Sequence, residues 1–398
     1  MGSRPSERRL AGKRIAFLSH FYWSLYRFRL PVMRALVEQG AHVLAVAPPT
    51  GRDELFAQHG IEYAPFWMHG TSLDPVHDVR AVRRLGGLLG TLRPDLLQTF
   101  APKTNILGAW AARRAGIPHV ISTVTGLGTL YVHDRGLRSK AMALAADRLT
   151  RPSLGRVSAV VFQNPDDREE FLARRLCTPD QARLIISSGV DLEEYSPGSI
   201  DSERRAALRQ EWGIGPAETV VTMVSRLLPA KGVHEFVAAA RTLRDRARFV
   251  LIGAATGRTS ISDDDLSAWR DAGVIVAGKQ LNIPEWLAAS DIYTLPSYYR
   301  EGVPRANLEA MAMGLPVVTT QMPGCRETVV DGENGFLIPP RDTGALTEGL
   351  RRLVDDPPLR RRMGARSREL AEQRFSLHRV VDQYLQLYTD VLGTRKRA

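Results

Sequence analysis

Two glutamates, Glu301 and Glu309, carry the clearest chemical signal in this chain of 398 residues, and seven residues separate them. The apolar run 292–295 before the first glutamate predicts a short buried strand. Residues 305–313, which include the second glutamate, predict a helix, and Pro304 suits its first position. The pair therefore lies where a strand end faces a helix start, and that setting favours ligand binding.

The predicted helix start is suited to an anion, because its free backbone N–H groups and the positive end of the helix dipole favour a phosphate. Carboxylates beside a phosphate would repel it unless they bound hydroxyl groups, which an ionised carboxylate accepts in bidentate fashion. Sugar and ribose hydroxyls are such donors, so we interpret the pair as part of a sugar-nucleotide site. The alternative is that Glu301 is a solvated loop residue and Glu309 a surface helix residue.

A second cluster lies at another predicted strand-to-helix turn. Residues 220–224 predict a buried strand, and an amphipathic helix is expected from about Val233. Arg226 and Lys231 lie between these two elements, where cations can neutralise a leaving diphosphate. The two clusters together favour a site that binds a nucleotide sugar and breaks its phosphate bond.

Four motifs within residues 220–340 resemble, in order and spacing, those of the retaining glycosyltransferases of group 1. These enzymes have two Rossmann-like domains, the GT-B fold, and a Glu-x7-Glu motif. The motifs here are Arg226 with Lys231-Gly232, Glu301 with Glu309, residues 323–327 and residues 331–336. The resemblance covers essentially the whole chain.

Motifs in the amino-terminal half narrow this resemblance to the branch that acts on polyprenyl-diphosphate-linked sugars. They are Ser19-His20, residues 26–31, residues 103–108 and residues 125–128. Within that branch the chain is similar to the alpha-N-acetylgalactosaminyltransferases of bacterial N-glycosylation and to related capsule and O-antigen enzymes.

The resemblance implies a role for individual residues. Arg226 and Lys231 would stabilise the leaving diphosphate. Glu301 would hold donor-sugar hydroxyls, and His20 would donate a hydrogen bond to the sugar or to an acceptor phosphate. The predicted catalytic residues are therefore Arg226, Lys231, Glu301 and His20. The predicted donor-binding residues are Glu309 on the ribose, Gly253, Lys279, Gly302, Val303, Pro304, Arg305, Ala306 and Asn307. The predicted acceptor-binding residues are Lys103, Asn105, Thr125, Gly126 and Asn164.

Some of these assignments have a structural alternative. Gly253 ends a predicted strand, where a glycine is often only a turn residue, and a single histidine such as His20 is often structural.

The chain also departs from the family. Residues 19–24 replace a Gly-Gly loop common among relatives, and residues 99–103 lack a histidine that many relatives carry there. The aromatic residues in the first of these segments predict a differently shaped acceptor entrance.

The resemblance further implies retention at the anomeric carbon by a front-face mechanism, in which the departing phosphate takes the acceptor proton. The donor substrate would be a UDP-sugar, with no cofactor, no metal and no enzymic nucleophile. The Asp-x-Asp pattern at 263–265 is expected in a solvated loop. Two alternatives remain open: an enzyme like the UDP-N-acetylglucosamine 2-epimerases, and a non-catalytic nucleotide-sugar-binding scaffold.

Length and composition agree with these expectations. A chain of 398 residues exceeds what one hydrophobic core usually supports, so two domains are expected. Apolar residues make up 44%, and no run approaches the roughly 18 apolar residues of a membrane-spanning helix. The basic start leads directly into a predicted strand, so no secretory signal is predicted. Cys177 and Cys325 lack metal-ligand spacing, which favours a reducing cytoplasm.

Alternating apolar strands and amphipathic helices predict an α/β protein with two Rossmann-like domains, whose parallel sheets face a central cleft. The predicted strands lie near 14–19, 42–47, 61–66, 95–99, 119–123, 157–162, 182–186, 219–224, 248–252, 274–277, 292–295, 317–320 and 336–338. The predicted domains are an acceptor domain at 1–190 and a donor domain at 191–375. A terminal helix at 376–398 would cross back to the first domain, as the resemblance implies.

Basic charge is concentrated in the first half of the chain. Residues 1–195 hold 26 Lys and Arg against 18 Asp and Glu, out of a net charge of +11 for the whole chain. Basic residues flank apolar ones in segment 79–93, and a second basic run covers 135–156. One interpretation is a solvated helix face. The other is contact with anionic lipid headgroups and the acceptor's diphosphate, which predicts a peripheral protein on the inner face of the plasma membrane. No motif supports nucleic acid binding.

Overall fold

The chain forms two compact units in a computed structural model that describes residues 9–70, 74–127, 137–255 and 261–393. The first unit comprises Met1–Ser188 and His378–Ala398, and the second comprises Gly189–Leu377. These boundaries lie within two residues of the predicted domain ends at 190 and 375.

The first unit is built on a parallel sheet of seven strands in the order β3-β2-β1-β4-β5-β6-β7. The strands are β1 Arg14–Leu18, β2 His42–Ala47, β3 Glu62–Pro65, β4 Leu96–Phe100, β5 His119–Val124, β6 Ala159–Phe162 and β7 Ala182–Leu184. Its helices up to the second unit are α1 Tyr22–Phe28, α2 Leu30–Glu38, α3 Glu54–Ala57, α4 Pro75–Leu92, α5 Pro102–Arg114, α6 Leu137–Leu154 and α7 Pro165–Ala173. The central strands are almost wholly buried, as expected for a parallel sheet with helices on both faces.

The second unit is built on a parallel sheet of six strands in the order β10-β9-β8-β11-β12-β13. The strands are β8 Thr219–Val224, β9 Ala247–Ile252, β10 Val274–Gly278, β11 Ile292–Leu295, β12 Val317–Thr320 and β13 Gly335–Ile338. The helices are α8 Ser202–Glu211, α9 Val233–Leu243, α10 Asp263–Asp271, α11 Ile283–Ala288, α12 Arg305–Ala312, α13 Thr343–Asp355 and α14 Pro357–Leu370.

The terminal helix α15, Leu377–Gly393, packs into the core of the first unit. Tyr384 and Tyr388 are fully buried there, and the ring of Tyr388 lies edge-on to Phe17 of β1 with 6.2 Å between ring centroids. The Tyr388 hydroxyl donates a hydrogen bond to Oε1 of Gln98 on β4 at 3.2 Å. The last helix therefore stabilises the unit formed by the start of the chain.

The predicted fold class is confirmed, and each of the thirteen predicted strands is present with bounds shifted by two residues at most. One local prediction is wrong. Residues 263–265 do not form a loop but the first turn of α10, where Ser262 and Asp265 make a reciprocal capping box. Three successive aspartates at a helix start are stabilised by the helix dipole, so their local role is accounted for by helix initiation.

Candidate functional site

Each sheet has one point where the chain reverses its winding direction, between β1 and β4 in the first unit and between β8 and β11 in the second. In open α/β sheets, ligands bind at the carboxyl ends of the strands beside this reversal. His20 and the segment 99–105 follow β1 and β4, while Arg226, Lys231 and the segment 296–301 follow β8 and β11. The topology therefore brings the predicted catalytic residues of each unit to that unit's reversal point.

Lys231 is positioned by a tight turn that requires glycine. A short 3-10 turn, Pro229–Lys231, ends at Gly232 with φ of 79°, in the left-handed region. A Cβ atom on Gly232 would lie 2.2 Å from the carbonyl oxygen of Pro296, which follows β11. Only glycine allows this approach, and it brings Lys231 to the loop that carries Glu301.

Lys231 and Glu301 form an ion pair between Nζ and Oε1, and the two side chains are only 11% and 12% exposed. The same Oε1 accepts a hydrogen bond from Ser297 Oγ at 3.1 Å. Behind this loop, a Cβ on Gly324 would lie 2.6 Å from the carbonyl oxygens of Glu301 and Gly302, so the glycine of the 323–327 motif supports the loop backbone. The predicted cation and the predicted sugar-binding carboxylate are thus in direct contact.

Glu309 lies on α12 and is also held by a neighbouring side chain. Arg305 Nε donates a hydrogen bond to its Oε1 at 2.8 Å, one helical turn away. The pKa of the buried Tyr195 is raised by burial first and by the charge of the Glu309 carboxylate second. Burial also raises the pKa of Glu194, while Arg305 opposes that shift. Tyr195 was missed from the sequence because a tyrosine in a turn-rich linker carries no motif.

Helix α12 starts one residue later than the sequence predicts, because Pro304 is its N-cap residue and not its first helical residue. No side chain caps the first turn, and Gly302 and Val303 before it are buried. Ala306 is partly exposed in that turn. The Asn307 side chain is fully buried: its Nδ2 donates to Thr328 Oγ1 at 3.0 Å, while its Oδ1 has no hydrogen-bond partner within the described residues. The contact of Asn307 with the donor stays a prediction.

Arg226 and Lys279 are exposed, and within the described residues neither side chain has a hydrogen-bond or ion-pair partner. Arg226 is thus a cation at the end of β8 that can turn to a ligand, unlike Lys231. Gly253 has a structural reason for being glycine, since its φ is 153° and a Cβ would lie 1.8 Å from the carbonyl oxygen of Ser225. Its proposed contact with a nucleotide stays a prediction.

In the first unit, His20 lies directly after β1 and its Nδ1 is 3.1 Å from Thr104 Oγ1. The other edge of the imidazole faces Gly70, where a Cβ would lie 2.2 Å from Cδ2 and 2.7 Å from Nε2. Burial, followed by the charge of Lys103, lowers the pKa of His20 below its usual 6.5. The imidazole is therefore neutral at pH 7, with its orientation fixed from both sides.

A pH profile can test this state. Because the pKa of His20 is lowered, protonation begins only on acidification below 6.5, and we expect kcat/KM to fall there if a neutral imidazole is required. Lys103→Met removes the second cause of the shift, so the acid limb should move toward neutral pH whatever happens to the maximum rate. The free energy of unfolding should also fall on acidification below pH 6.5, because the unfolded chain binds the proton more readily than the folded chain does. An acid limb that does not move on this substitution would exclude His20 as its source.

The predicted acceptor-binding residues divide into two groups. Lys103 lies at the start of α5 and forms an ion pair with Asp78 of α4 at 2.7 Å. Thr125 is partly exposed and Gly126 has φ of 104° in the loop after β5, so these residues lie at the carboxyl edge of the sheet. Gly128 of the same motif lies outside the described residues.

Asn105 and Asn164 belong to the other group, because both amides are buried and engaged within the fold. Asn105 accepts a hydrogen bond from Thr99 Oγ1 at 2.8 Å and donates one to the carbonyl oxygen of Thr123 at 3.0 Å. Asn164 caps α7, accepting from the backbone N–H of Asp167 at 2.7 Å. These hydrogen bonds give both amides a structural role within the fold, and their contact with the acceptor stays a prediction.

In the described parts of the chain, no group of three or more His, Cys, Asp or Glu side chains is placed so that it could hold a metal ion. No helix in those parts is both long enough and apolar enough to cross a membrane.

Two family descriptions match the chain, one in each unit. The family described as glycosyl transferases group 1 matches residues 204–370, which include both glutamates, Arg226 and Lys231. The family described as glycosyl transferase 4-like domain matches residues 27–186. The second unit therefore carries a group 1 glycosyltransferase domain, and the 4-like match lies in the first unit.

Individual relatives extend the likeness over the whole chain. The chain is 29% identical over 379 residues to the Campylobacter jejuni N,N'-diacetylbacillosaminyl-diphospho-undecaprenol alpha-1,3-N-acetylgalactosaminyltransferase, covering 95% of this chain and 99% of that enzyme. It is 28% identical to the Escherichia coli UDP-Gal:alpha-D-GlcNAc-diphosphoundecaprenol alpha-1,3-galactosyltransferase, covering 80% of this chain and 81% of that enzyme. Among solved structures, Anabaena HepE in complex with UDP shares the fold with a TM-score of 0.78 at 19% identity, covering 95% of this chain and 100% of that one.

Proposed function

We propose that this glycosyltransferase moves a hexose or N-acetylhexosamine from a UDP-sugar to a polyprenyl-diphosphate-linked sugar during bacterial glycan assembly. The observation that carries the proposal is the group at the reversal point of the second sheet. There Lys231 is paired with Glu301, Arg226 is exposed, and the uncapped start of α12 lies beside Glu309. The acceptor class is supported by the names of the Campylobacter and Escherichia relatives, both of which act on sugars linked to a polyprenyl diphosphate.

In this proposal the bond between the anomeric carbon and the β-phosphate oxygen breaks, and a bond to the acceptor hydroxyl oxygen forms on the same face. The leaving UDP takes the acceptor proton. Arg226, Lys231 and the helix start stabilise the negative charge that develops on the diphosphate, so no metal is needed for this step. Glu301 and Glu309 are each held by a cation, which suits carboxylates that bind hydroxyls rather than a carboxylate that attacks carbon.

The proposed acceptor residues lie in the first unit. His20 is held neutral between Thr104 and Gly70, and it can donate or accept a proton only through Nε2 once Nδ1 is bonded. Lys103 carries the positive charge nearest to it, and its ammonium group suits the acceptor's diphosphate.

A panel assay tests the proposal directly. The protein is incubated with individual UDP-sugars and with short-chain prenyl-diphosphate-linked sugars, with and without a chelator, and the product is examined by NMR for its anomeric configuration. We expect transfer with retention that is unaffected by the chelator. Conversion of UDP-N-acetylglucosamine alone would favour the epimerase alternative. Binding of UDP-sugars without any transfer would favour a non-catalytic scaffold.

We further propose that helix α4 docks the protein on the inner face of the plasma membrane. Arg80, Arg83 and Arg84 are exposed, as are Val76 at 59% and Val79 at 52%. Each arginine near an anionic surface contributes about 1 kcal/mol, an attraction screened within a Debye length. We expect anionic liposomes to sediment the protein at low salt and far less at high salt. The variant Arg80→Glu, Arg83→Glu, Arg84→Glu should lose this binding while it still uses a soluble short-chain acceptor.

A matched control changes three exposed arginines of the second unit to glutamate and alters the net charge equally: Arg241, Arg361 and Arg362. It should sediment like the parent protein. Equal loss in both triple variants would mean that net charge and not the α4 face governs binding. If the parent protein does not sediment at any salt concentration, α4 is a solvated helix and does not dock on the membrane.

A further inference from the structure

Three aromatic rings form a group at the carboxyl edge of the first sheet: Trp67 and His69, which are exposed, and His77, which is half-buried. The ring centroids of Trp67 and His69 are 4.1 Å apart, those of His69 and His77 are 4.5 Å apart, and those of Trp67 and His77 are 5.6 Å apart. Trp67 is nevertheless 43% exposed. Large aromatic side chains usually bury most of their surface, so a rigid and exposed tryptophan points to a binding role.

The backbone fixes this group in place. After β3 the chain stays extended, and Phe66 and Met68 are buried in the core at 5% and 3% exposure while Trp67 and His69 face outward. The N–H of Phe66 donates to the carbonyl oxygen of Ala47 on β2 at 2.8 Å, which continues the sheet pairing. Alternating burial therefore anchors the segment from one side and presents its two outward rings on the other.

The third ring belongs to the first turn of α4. Asp74 caps this helix by accepting hydrogen bonds from the N–H groups of Val76 and His77 at 2.9 and 3.2 Å. The backbone at His77 is thus held by its own cap. Rings presented by two elements with fixed backbones form a surface that needs little ordering when a ligand binds.

The aromatic group adjoins the proposed acceptor residues. Gly70, one residue after His69, packs directly against the imidazole of His20. Asp78, one residue after His77, forms the ion pair with Lys103 at 2.7 Å. A ligand whose diphosphate reached Lys103 would therefore place whatever is attached to that diphosphate beside the three rings.

The chemistry of the group suits a sugar ring. A pyranose has faces made of C–H groups, which pack on the face of an indole, and edges made of hydroxyls. The two imidazoles offer both hydrogen-bond donors and acceptors to such hydroxyls. A prenyl chain would pack on the tryptophan but would make no hydrogen bonds with the two imidazoles. Within the described residues, these imidazoles belong to no group of three or more His, Cys, Asp or Glu side chains that could hold a metal ion.

We propose that Trp67, His69 and His77 form the subsite for the sugar ring next to the diphosphate of the acceptor. This inference rests on the proposed function for the class of acceptor. It adds a specificity-determining role, since the subsite would select a sugar-bearing lipid diphosphate over the bare one. These residues position the acceptor and take no part in bond breaking.

The test compares two soluble probes by calorimetry: a short-chain prenyl diphosphate that carries one N-acetylhexosamine, and the same prenyl diphosphate without the sugar. We expect the parent protein to bind the first about tenfold more tightly, the scale of one stacking contact. In Trp67→Ala this sugar-dependent difference should vanish, and the His69→Ala, His77→Ala variant should lose much of it. Binding of UDP should be the same in all variants.

Trp110→Ala is the matched control, because Trp110 on α5 is 36% exposed and belongs to no proposed site. It should keep the difference between the probes, and thermal melting should show all variants folded. The inference is overturned if Trp67→Ala keeps the difference, if both tryptophan variants lose it equally, or if the parent protein shows none. The two proposals can fail separately. If the parent protein transfers no sugar but its preference for the sugar-bearing probe is lost in Trp67→Ala, the proposed function is refuted and the subsite is supported.

Discussion

Lys231→Ala is expected to lower turnover by about 100-fold or more, with little change in the affinity for the acceptor. Lys231 lies at the reversal point of the second sheet and contacts the carboxylate of Glu301. The loss of one preorganised charge that stabilises a developing oxyanion commonly has an effect of this size. The measurement is kcat of the purified variant, together with its affinity for UDP.

The structure adds a second expectation for this variant. The ion pair is nearly buried, so removing the lysine leaves the Glu301 carboxylate with Ser297 as its partner and costs about 3–5 kcal/mol of stability. Assays must therefore be made below the lowered melting temperature. The double variant Lys231→Ala, Glu301→Gln removes the unpaired charge and should recover part of the stability while turnover stays low. A folded Lys231→Ala variant with nearly normal turnover would remove Lys231 from the mechanism.

Glu309→Gln is expected to weaken binding of UDP itself, and Glu301→Gln to impair use of the donor sugar while UDP still binds. An amide cannot make the charge-assisted hydrogen bonds that an ionised carboxylate makes to hydroxyls, and each such bond contributes about 1.5–3 kcal/mol. Roughly tenfold to 100-fold weaker binding of UDP follows for Glu309→Gln. Calorimetry with UDP and kinetics with the UDP-sugar separate the two defects.

Tyr195→Phe serves as the control for the Glu309 variant. It removes the hydroxyl whose pKa responds to the Glu309 charge but leaves the carboxylate and its hydrogen bond from Arg305. A smaller loss of UDP affinity is expected, because the ribose-binding group remains charged and its hydrogen bond from Arg305 stays in place. If both glutamate variants bound UDP as the parent does, the assignment of Glu309 to the ribose would be wrong.

Some features of the site could be predicted from the sequence because they depend on neighbours along the chain. A strand end, a proline at a helix start and a glycine at its end are local signals, so the strands and α12 were located from the pattern of apolar residues. Arg226, Lys231 and Glu301 were found for the same reason, since each follows a strand that the pattern reveals. Residues 263–265 begin α10 and not a loop, because Ser262 caps this helix and aspartates are favoured in its first turn.

Other features depend on contacts between distant segments, which periodicity does not encode. The amide of Asn105 looks like a ligand-binding group in the sequence, yet Thr99 on β4 and Thr123 on β5 use its hydrogen-bonding capacity. The outward ring of Trp67 lies beside the ring of His77, which belongs to a different element. The fold decides such roles, because it determines which polar groups have hydrogen-bond partners and which aromatic rings are exposed.

The sequence by itself determined the alternation of strands and helices, the strand ends that carry the cations and carboxylates, and the resemblance to the group 1 glycosyltransferases. Only the tertiary structure decided that Lys231 and Glu301 form an ion pair, that Tyr195 is buried where the charge of Glu309 raises its pKa, and that His20 is held neutral. The physical reason is the same in each case. Local backbone preference places a residue on an element, whereas its charge state and partners are set by burial and by groups that reach it from elsewhere in the fold.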